Sequence, residues 1–354
     1  MKSSFHIDYK LPLNFQPEWA HLFKPDYKYK TVELKVRELQ NVFVNHYGLV
    51  IKHGLLVKGC APNIGFSNYD DGFYYKHWRK ATEQMLVCRY GKSIPSIKLD
   101  DNKKYLLIHS PWFSYYFWLT ECLPRLLMVK DQLPELTLLY PSVWEKFSFV
   151  NQTLELFPEL KKVVIPSDYH LLVKNLIMPE VKPWTPMFIP EPVFAVRNLL
   201  LKEVDKRCLK SPFGNKIYIS RKNAARKKFA DETTAENTLR QFGFDTVIME
   251  DFSFFEQIAI MKNARYVFAI TGAGTINVMF MQQNGHLFDI PHRDYITRPQ
   301  YKFHFYKLCQ ILNIDYSVLF HERVDDPAVD HYSKQNLIFD VKGVSEYLSK
   351  IFEK

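Results

Sequence analysis

Apolar residues along this chain fall into short runs that alternate with longer amphipathic stretches, and the style of alternation changes along the sequence. Up to about residue 104 the runs are brief, at 42–44, 49–51 and 55–57, broken by turn residues such as Gly48 and His53-Gly54. That spacing predicts a β-rich meander, an N-terminal extension. From Lys104 onward strand and helix patterns take turns, with strands at 105–109, 136–140, 162–165 and 171–178 and helices at 115–130 and 143–157. A stretch holding Pro179, Pro183, Pro186, Pro190 and Pro192 follows. Proline at that density blocks both helix and central strand and predicts a connector. Residues 194–209 then read as a helix linking two lobes.

The second half repeats the alternation more cleanly. Strands are expected at 216–220, 245–249, 266–270, 287–290 and 316–319. Helices are expected at 232–242, after the capping box Ser253-Phe254-Phe255-Glu256 as far as Asn263, and near 299–312. The stretch 344–352 is an amphipathic helix whose docking site the pattern does not assign. Two alternating blocks around a proline connector imply an α/β chain of two doubly wound, Rossmann-like lobes, with a cleft at the carboxyl ends of their strands. The expected division is 1–104 (β-rich extension), 105–205 (first lobe), 206–342 (second lobe) and 343–354 (terminal helix).

The most informative stretch is RYVFAITGAGTINVMFMQQNGHLFDI, from Arg265 to Ile290. An apolar run enters the small-residue turn Thr271-Gly272-Ala273-Gly274, a short apolar helix pattern follows, and a second apolar run closes a βαβ unit. Such a turn aims backbone N–H groups and a helix N-terminus at a phosphate or carboxylate; alternatively, it merely joins strand to helix. A dinucleotide fingerprint needs a third small residue where Asn277 stands, and no G-x-x-x-x-G-K-[ST] occurs, so neither common phosphate loop is present.

Composition narrows the partners. At 354 residues, 47% hydrophobic and 24% charged, the chain suits a soluble globular protein of two ordinary domains. The net charge of +9 points to an anionic partner: nucleotide, acidic glycan, anionic lipid or nucleic acid. Arg221, Lys222, Arg226, Lys227 and Lys228 cluster, as a binding surface or a solvated loop, but no nucleic-acid signature accompanies them. The five cysteines (Cys60, Cys88, Cys122, Cys208, Cys309) are scattered and read as free thiols in a reducing compartment. With no signal peptide and no run of 18 apolar residues, the expectation is a cytoplasmic protein, with peripheral contact to an anionic membrane through its basic and aromatic surface.

Two constellations carry candidate chemistry. The strand KIYIS ends in Ser220-Arg221, with Arg226 five residues on. A guanidinium beyond a strand's carboxyl end suits a diphosphate, whose oxygens match its planar fork; the structural alternative has Arg221 capping a helix or pairing with Glu250. In the first lobe SYYFWLTECLPRLLMV places Tyr115, Trp118, Glu121, Cys122 and Arg125 along one helix. Glu121 is a candidate general base, or else the i,i+4 partner of Arg125. Metal chemistry has little support: H-E-x-x-H, Cys/His clusters and Asp-x-Asp are all absent.

IYISRKNAARK, VIMEDFSFFEQIAIMKNARYVFAITGAGTINVMFM and GHLFDI together resemble glycosyltransferase family 61. That family shows a strand ending Ser-Arg, an "sfxeQ" helix and a His-Gly-Ala-x-x-x-Asn turn. YYFWLTECLPRLLMV likewise resembles its Tyr-His-Trp-Leu…Leu-Pro-Arg-Leu segment, and the likeness runs over roughly residues 104–320. The resemblance implies a GT-B-like, inverting transferase with a nucleotide-sugar donor and no obligatory metal or other cofactor. It places the donor diphosphate on Arg221, Arg226, Gly272, Ala273, Gly274 and Asn277; Thr271 and Thr275 of the same turn complete the expected donor site, and Tyr116, Trp118 and Arg125 are the expected acceptor side. Two residues depart from the pattern: Phe117 and Thr271 stand where the family has histidines. An acid is then expected to act as base, Glu121 first, with Asp251 and Asp289 behind it. Known eukaryotic members carry a luminal anchor, and this chain looks more like the bacterial members of surface or capsular polysaccharide synthesis. The expected function is transfer from a uridine-based donor to a glycan or lipid-linked glycan. A non-catalytic nucleotide- or glycan-binding scaffold is the alternative, prompted by the two missing histidines.

Overall fold

A computed structural model describes residues 9–23, 33–60, 96–167, 169–180, 188–297, 303–327, 329 and 334–353. The described residues divide into two compact units, one drawn from between 33 and 196, the other from 9–23 and from 197 onward.

The first unit is built on a mixed eight-stranded sheet. Its strands are β1 (Val36–Asn45), β2 (Val50–Lys52), β3 (Leu55–Leu56), β4 (Ser96–Lys98), β5 (Lys104–Leu106), β6 (Leu136–Pro141), β7 (Lys161–Ile165) and β8 (His170–Pro179). The order is β3-β2-β1-β8-β5-β6-β7, with β4 also pairing β8. β1, β2 and β3 form an antiparallel meander, whereas β8, β5, β6 and β7 run parallel. β8 joins the two styles, because β1 pairs with it antiparallel from Val36↔Pro179 to Asn45↔His170. The meander expected as a separate extension is therefore part of the first lobe's sheet. Its core holds Val42, Val44, Leu107, Leu139, Ile165, Leu171 and Met178.

The second unit carries five parallel strands: β9 (Lys216–Ile219), β10 (Asp245–Val247), β11 (Tyr266–Ile270), β12 (His286–Ile290) and β13 (Asp315–Val318). Their order is β10-β9-β11-β12-β13. β10 lies on one side of β9 and β11 on the other, so the winding reverses between β9 and β11. In open α/β sheets ligands bind in the crevice outside the strand carboxyl ends at such a reversal. One sheet face buries Tyr218, Phe268, Ile270, Phe288 and Ile290 against Leu239, Phe244, Val344 and Leu348. This assigns the terminal helix Val341–Phe352 its place, with Phe352 also meeting the Tyr266 ring edge-on. Helix Glu232–Gln241 starts on Asp231, whose side chain accepts from Thr234 N, and helix Phe254–Asn263 starts on the expected Ser253/Glu256 capping box.

Residues 9–23 belong to the second unit, not to the N-terminal meander. Leu13 N donates to Tyr316 O, Asn14 exchanges hydrogen bonds with the backbone of Val318, and Phe23 packs on Phe303 and Tyr306. This strap covers β13, which would otherwise be an open sheet edge. The proline connector also needs correction. Pro190 and Pro192 lie in the first turn of helix Pro190–Lys206, where a missing N–H costs no hydrogen bond; Pro183 and Pro186 lie outside the described residues. Cys60, Cys122 and Cys309 are buried free thiols and Cys208 is an exposed one, while Cys88 lies outside the described residues. Among the described residues no helix is long and apolar enough to cross a membrane.

Candidate active site

The candidate site is the corner where β9 and β11 end. Beyond β9 one carboxylate organises the turn: Glu232 Oε1 accepts from the Tyr218 hydroxyl, the Ser220 hydroxyl and the Arg221 amide. Arg221 then folds its side chain across the turn and donates from Nε to Lys227 O at 2.7 Å. It forms no ion pair with Glu250, although that carboxylate's charge favours its protonated form.

The guanidinium arrives at the glycine turn. A Cβ on Gly272 would stand 3.0 Å from Arg221 Nη1, so glycine here permits the close approach. Thr271 continues the ladder by donating its amide to Ile290 O, and Gly272 N donates to Thr275 Oγ1 at 3.2 Å. The following segment Ala273–Phe280 is a 3₁₀ helix, tighter than the α-helix the sequence pattern implied. Thr275 N, bonded to Gly272 O, makes its first backbone bond. The amides of Ala273 and Gly274 therefore have no protein acceptor among the described residues, as expected at a helix start. A Cβ on Gly274 would meet nothing within 4 Å, so the space above it is open. At its other end the segment is clamped by Arg197, which donates to Met279 O and to Met281 O.

Under the turn lies Asp289, only 1% exposed, at the end of β12. Thr271 Oγ1 donates to its Oδ1 at 2.6 Å and the Tyr316 hydroxyl to its Oδ2 at 2.8 Å. Thr271, standing where the family has histidine, thus ties the turn to β12. Burial pushes the Asp289 carboxyl from 3.8 up to about 6, against those two donors and the nearby Lys227 charge. The folded protein therefore holds this proton more tightly than the unfolded chain. The stability this contributes is whole below the unfolded value and is lost as pH rises through about 6. Thermal melts are expected to show the advantage of wild type over Asp289→Asn shrinking between about pH 4 and about pH 6.5.

Of the other expected donor-side residues, Asn277 is buried and donates to Gln257 Oε1 at 3.4 Å, so it braces the turn on helix Phe254–Asn263. Arg226 is exposed in the loop after Arg221, near enough for its charge to act on Arg221 and Lys227. Asp251 is exposed, on the 3₁₀ turn Met249–Asp251 beyond β10. Sequence reading missed Glu232, Arg197, Tyr316 and the separate importance of Lys227. Only Glu232 carries a local signal, an acid at the first position of a helix that starts on Asp231.

In the first unit the helical run from Tyr115 to Leu127 contains a π-helical segment, Trp118–Cys122. Such bulges recur at functional sites. Glu121 lies on this segment, buried, and accepts from the Ser110 hydroxyl at 2.8 Å. It lines a small pocket with Thr120, Glu180 and Phe188. Tyr116 is half-buried with its ring edge towards Phe188. Trp118 and Arg125, expected on the acceptor side, are each 1% exposed. Trp118 donates Nε1 to Thr153 and meets Trp144 edge-on. Arg125 donates to Pro179 O, His109 O and Leu107 O at 2.7–3.0 Å, and burial pushes its guanidinium down to about 10. Both side chains brace the interior, and Arg125 also lines the pocket beside Glu121. Among the described residues no group of three or more His, Cys, Asp or Glu side chains is placed to hold a metal ion.

No curated protein matches the chain. The family model of glycosyltransferase 61 matches residues 115–288, just under half of the chain. The matched stretch opens with the π-bulged helix of the first unit and takes in Ser220-Arg221, the capping-box helix, the glycine corner and most of β12. Over that stretch the chain is similar to glycosyltransferase family 61.

Proposed function

We propose that this chain moves a sugar from a nucleotide diphosphate donor, uridine-based, to a glycan or lipid-linked glycan acceptor, with inversion and without an obligatory metal. The family match supports sugar transfer as the reaction class. The observation that carries the donor reading is the approach of Arg221 to Gly272 beside the open Ala273-Gly274 amides. An acceptor hydroxyl attacks the anomeric carbon, a base takes its proton, and the bond to the diphosphate breaks with its electron pair leaving on the phosphate oxygen. Arg221, Arg226 and the two amides stabilise the charge that grows there. Asp289 is a support in this scheme, since both of its oxygens already accept hydrogen bonds. Glu121 is the proposed base because it lines a pocket and Ser110 orients it, with exposed Asp251 as the second candidate. Surface or capsular polysaccharide synthesis at the cytoplasmic face of an anionic membrane is the proposed setting, in keeping with the net charge of +9.

The reading is tested by thermal stabilisation of the purified protein with the diphosphates of uridine, cytidine, guanosine and thymidine, followed by donor turnover. One of the four should raise the melting temperature. Arg221→Ala should weaken that ligand's binding at least about tenfold, the loss expected for a charge-assisted phosphate contact, with the ligand-free melting temperature kept. Absence of stabilisation by all four rejects the donor reading. Binding without turnover across a panel of nucleotide sugars would favour the scaffold, the reading prompted by Phe117 and Thr271.

A further inference from the structure

Lys227 is a cation of this corner that the scheme above leaves unused. Its backbone is left-handed, with φ of 58°. A lysine adopts that region rarely and keeps it only where its surroundings fix it, a situation concentrated at ligand clamps and active sites. Here the fixing contact is visible: the Lys227 carbonyl accepts the Nε hydrogen of Arg221. The residue that leans on Gly272 thus also sets the conformation of Lys227.

The Lys227 side chain has more positive than negative neighbours. Arg221 and Arg226 face it from its own loop and Asp289 faces it from β12. Asp289 already accepts from Thr271 and Tyr316, and neither it nor any other described carboxylate forms an ion pair with Lys227. Two further acids act on Arg221: Glu232, which gives one oxygen to three donors of the β9 turn, and Glu250, which forms no ion pair with it. Three cations are therefore gathered at one turn, and the ammonium of Lys227 has no hydrogen-bond acceptor among the described residues. Like charges held together in this way repel unless an anion joins them.

We propose that Lys227 is a ligand-binding cation that pairs with the donor diphosphate and takes up a proton from solvent as that diphosphate binds. This rests on the donor reading given above. Lys227 is half-buried, and its partial desolvation, with help from Arg221 and Arg226 and against the pull of Asp289, lowers the free ammonium to about 8. Above that pH the empty site carries mostly neutral lysine, and a bound phosphate restores the charge. Asp289 titrates below this range. The diphosphate of UDP is itself ionised there, since phosphate esters lose their second proton near pH 6.

Calorimetry of UDP binding between pH 7 and pH 9, in buffers of different ionisation enthalpy, tests this. Wild-type affinity should fall about tenfold across that range, with proton uptake on binding at the alkaline end. Lys227→Arg should bind UDP with little dependence on pH, and Lys227→Met should bind at least about tenfold more weakly at pH 7, also without the slope. A wild-type affinity that is flat from pH 7 to pH 9, or a folded Lys227→Met that binds like wild type, overturns the assignment and leaves the donor site standing. If wild type binds none of the four nucleoside diphosphates at pH 7, the donor reading fails and this one falls with it.

Discussion

Gly274→Val should yield a protein that folds and melts like wild type yet no longer binds the nucleoside diphosphate. Transfer activity is expected to fall at least about 100-fold, the scale on which loss of an oriented backbone donor is felt in a transition state. Each half of this expectation has its own observation. A Cβ at Gly274 meets no atom within 4 Å, so valine finds room in the ligand-free protein. The same space lies over the Ala273 and Gly274 amides, so its methyl groups would occupy the volume a phosphate needs. Gly285 provides the contrast, because a Cβ there would stand 2.8 Å from Arg265 O and 2.9 Å from Gln282 O, and any side chain would disturb the backbone. Differential scanning fluorimetry with and without ligand reads both halves in one experiment. Wild-type ligand affinity in Gly274→Val would show that the phosphate does not sit at this turn.

The second large effect belongs to Arg125→Met, and it concerns stability. Methionine retains most of the apolar stem but withdraws the donors serving Leu107 O, His109 O and Pro179 O. A buried group left without its hydrogen bond costs about 1–3 kcal/mol, and three carbonyls lose their donor here. Whole domains are commonly stable by only about 5–15 kcal/mol, so a loss of about 3 kcal/mol or more would remove a large share of the first unit's stability and lower its urea midpoint. Urea titration, or recovery of soluble protein, measures it. A variant with wild-type stability and a raised acceptor KM would restore Arg125 to the acceptor-binding role that its helix position suggests.

The sequence pattern revealed most where structure is local. β11 and β12 are buried along nearly their whole length, so YVFAI and HLFDI stand out as apolar runs, and the Ser253/Glu256 box marks its helix within four residues. Ser220-Arg221 and Thr271–Thr275 could be picked out for the same reason, as short motifs at strand ends. The pairing of β1 with β8 joins residues more than 120 apart, and no local pattern shows that the meander shares a sheet with the parallel strands. The bracing bonds of Arg125 could not be read locally, because its acceptors come from 107–109 and from Pro179, about 70 residues further on. Pro190 and Pro192 illustrate a positional rule, since the same residue that breaks a helix interior is welcome in its first turn. Thr271 looked like a loss relative to the family, and its bond to Asp289 shows what the hydroxyl does instead. The left-handed backbone of Lys227 has no signature in composition at all.

The strap over β13 bears on how the chain is made. Residues 9–23 emerge from the ribosome about 300 positions ahead of the strand they cover, as the separation of Asn14 from Val318 shows. At about 5–20 residues added per second, that interval lasts about 15–60 s. Through all of it Leu22 and Phe23, buried in the finished protein, have no β13 to settle on. The strap and the last strand of the second sheet then complete each other late, so that edge closes only once β13 has been made.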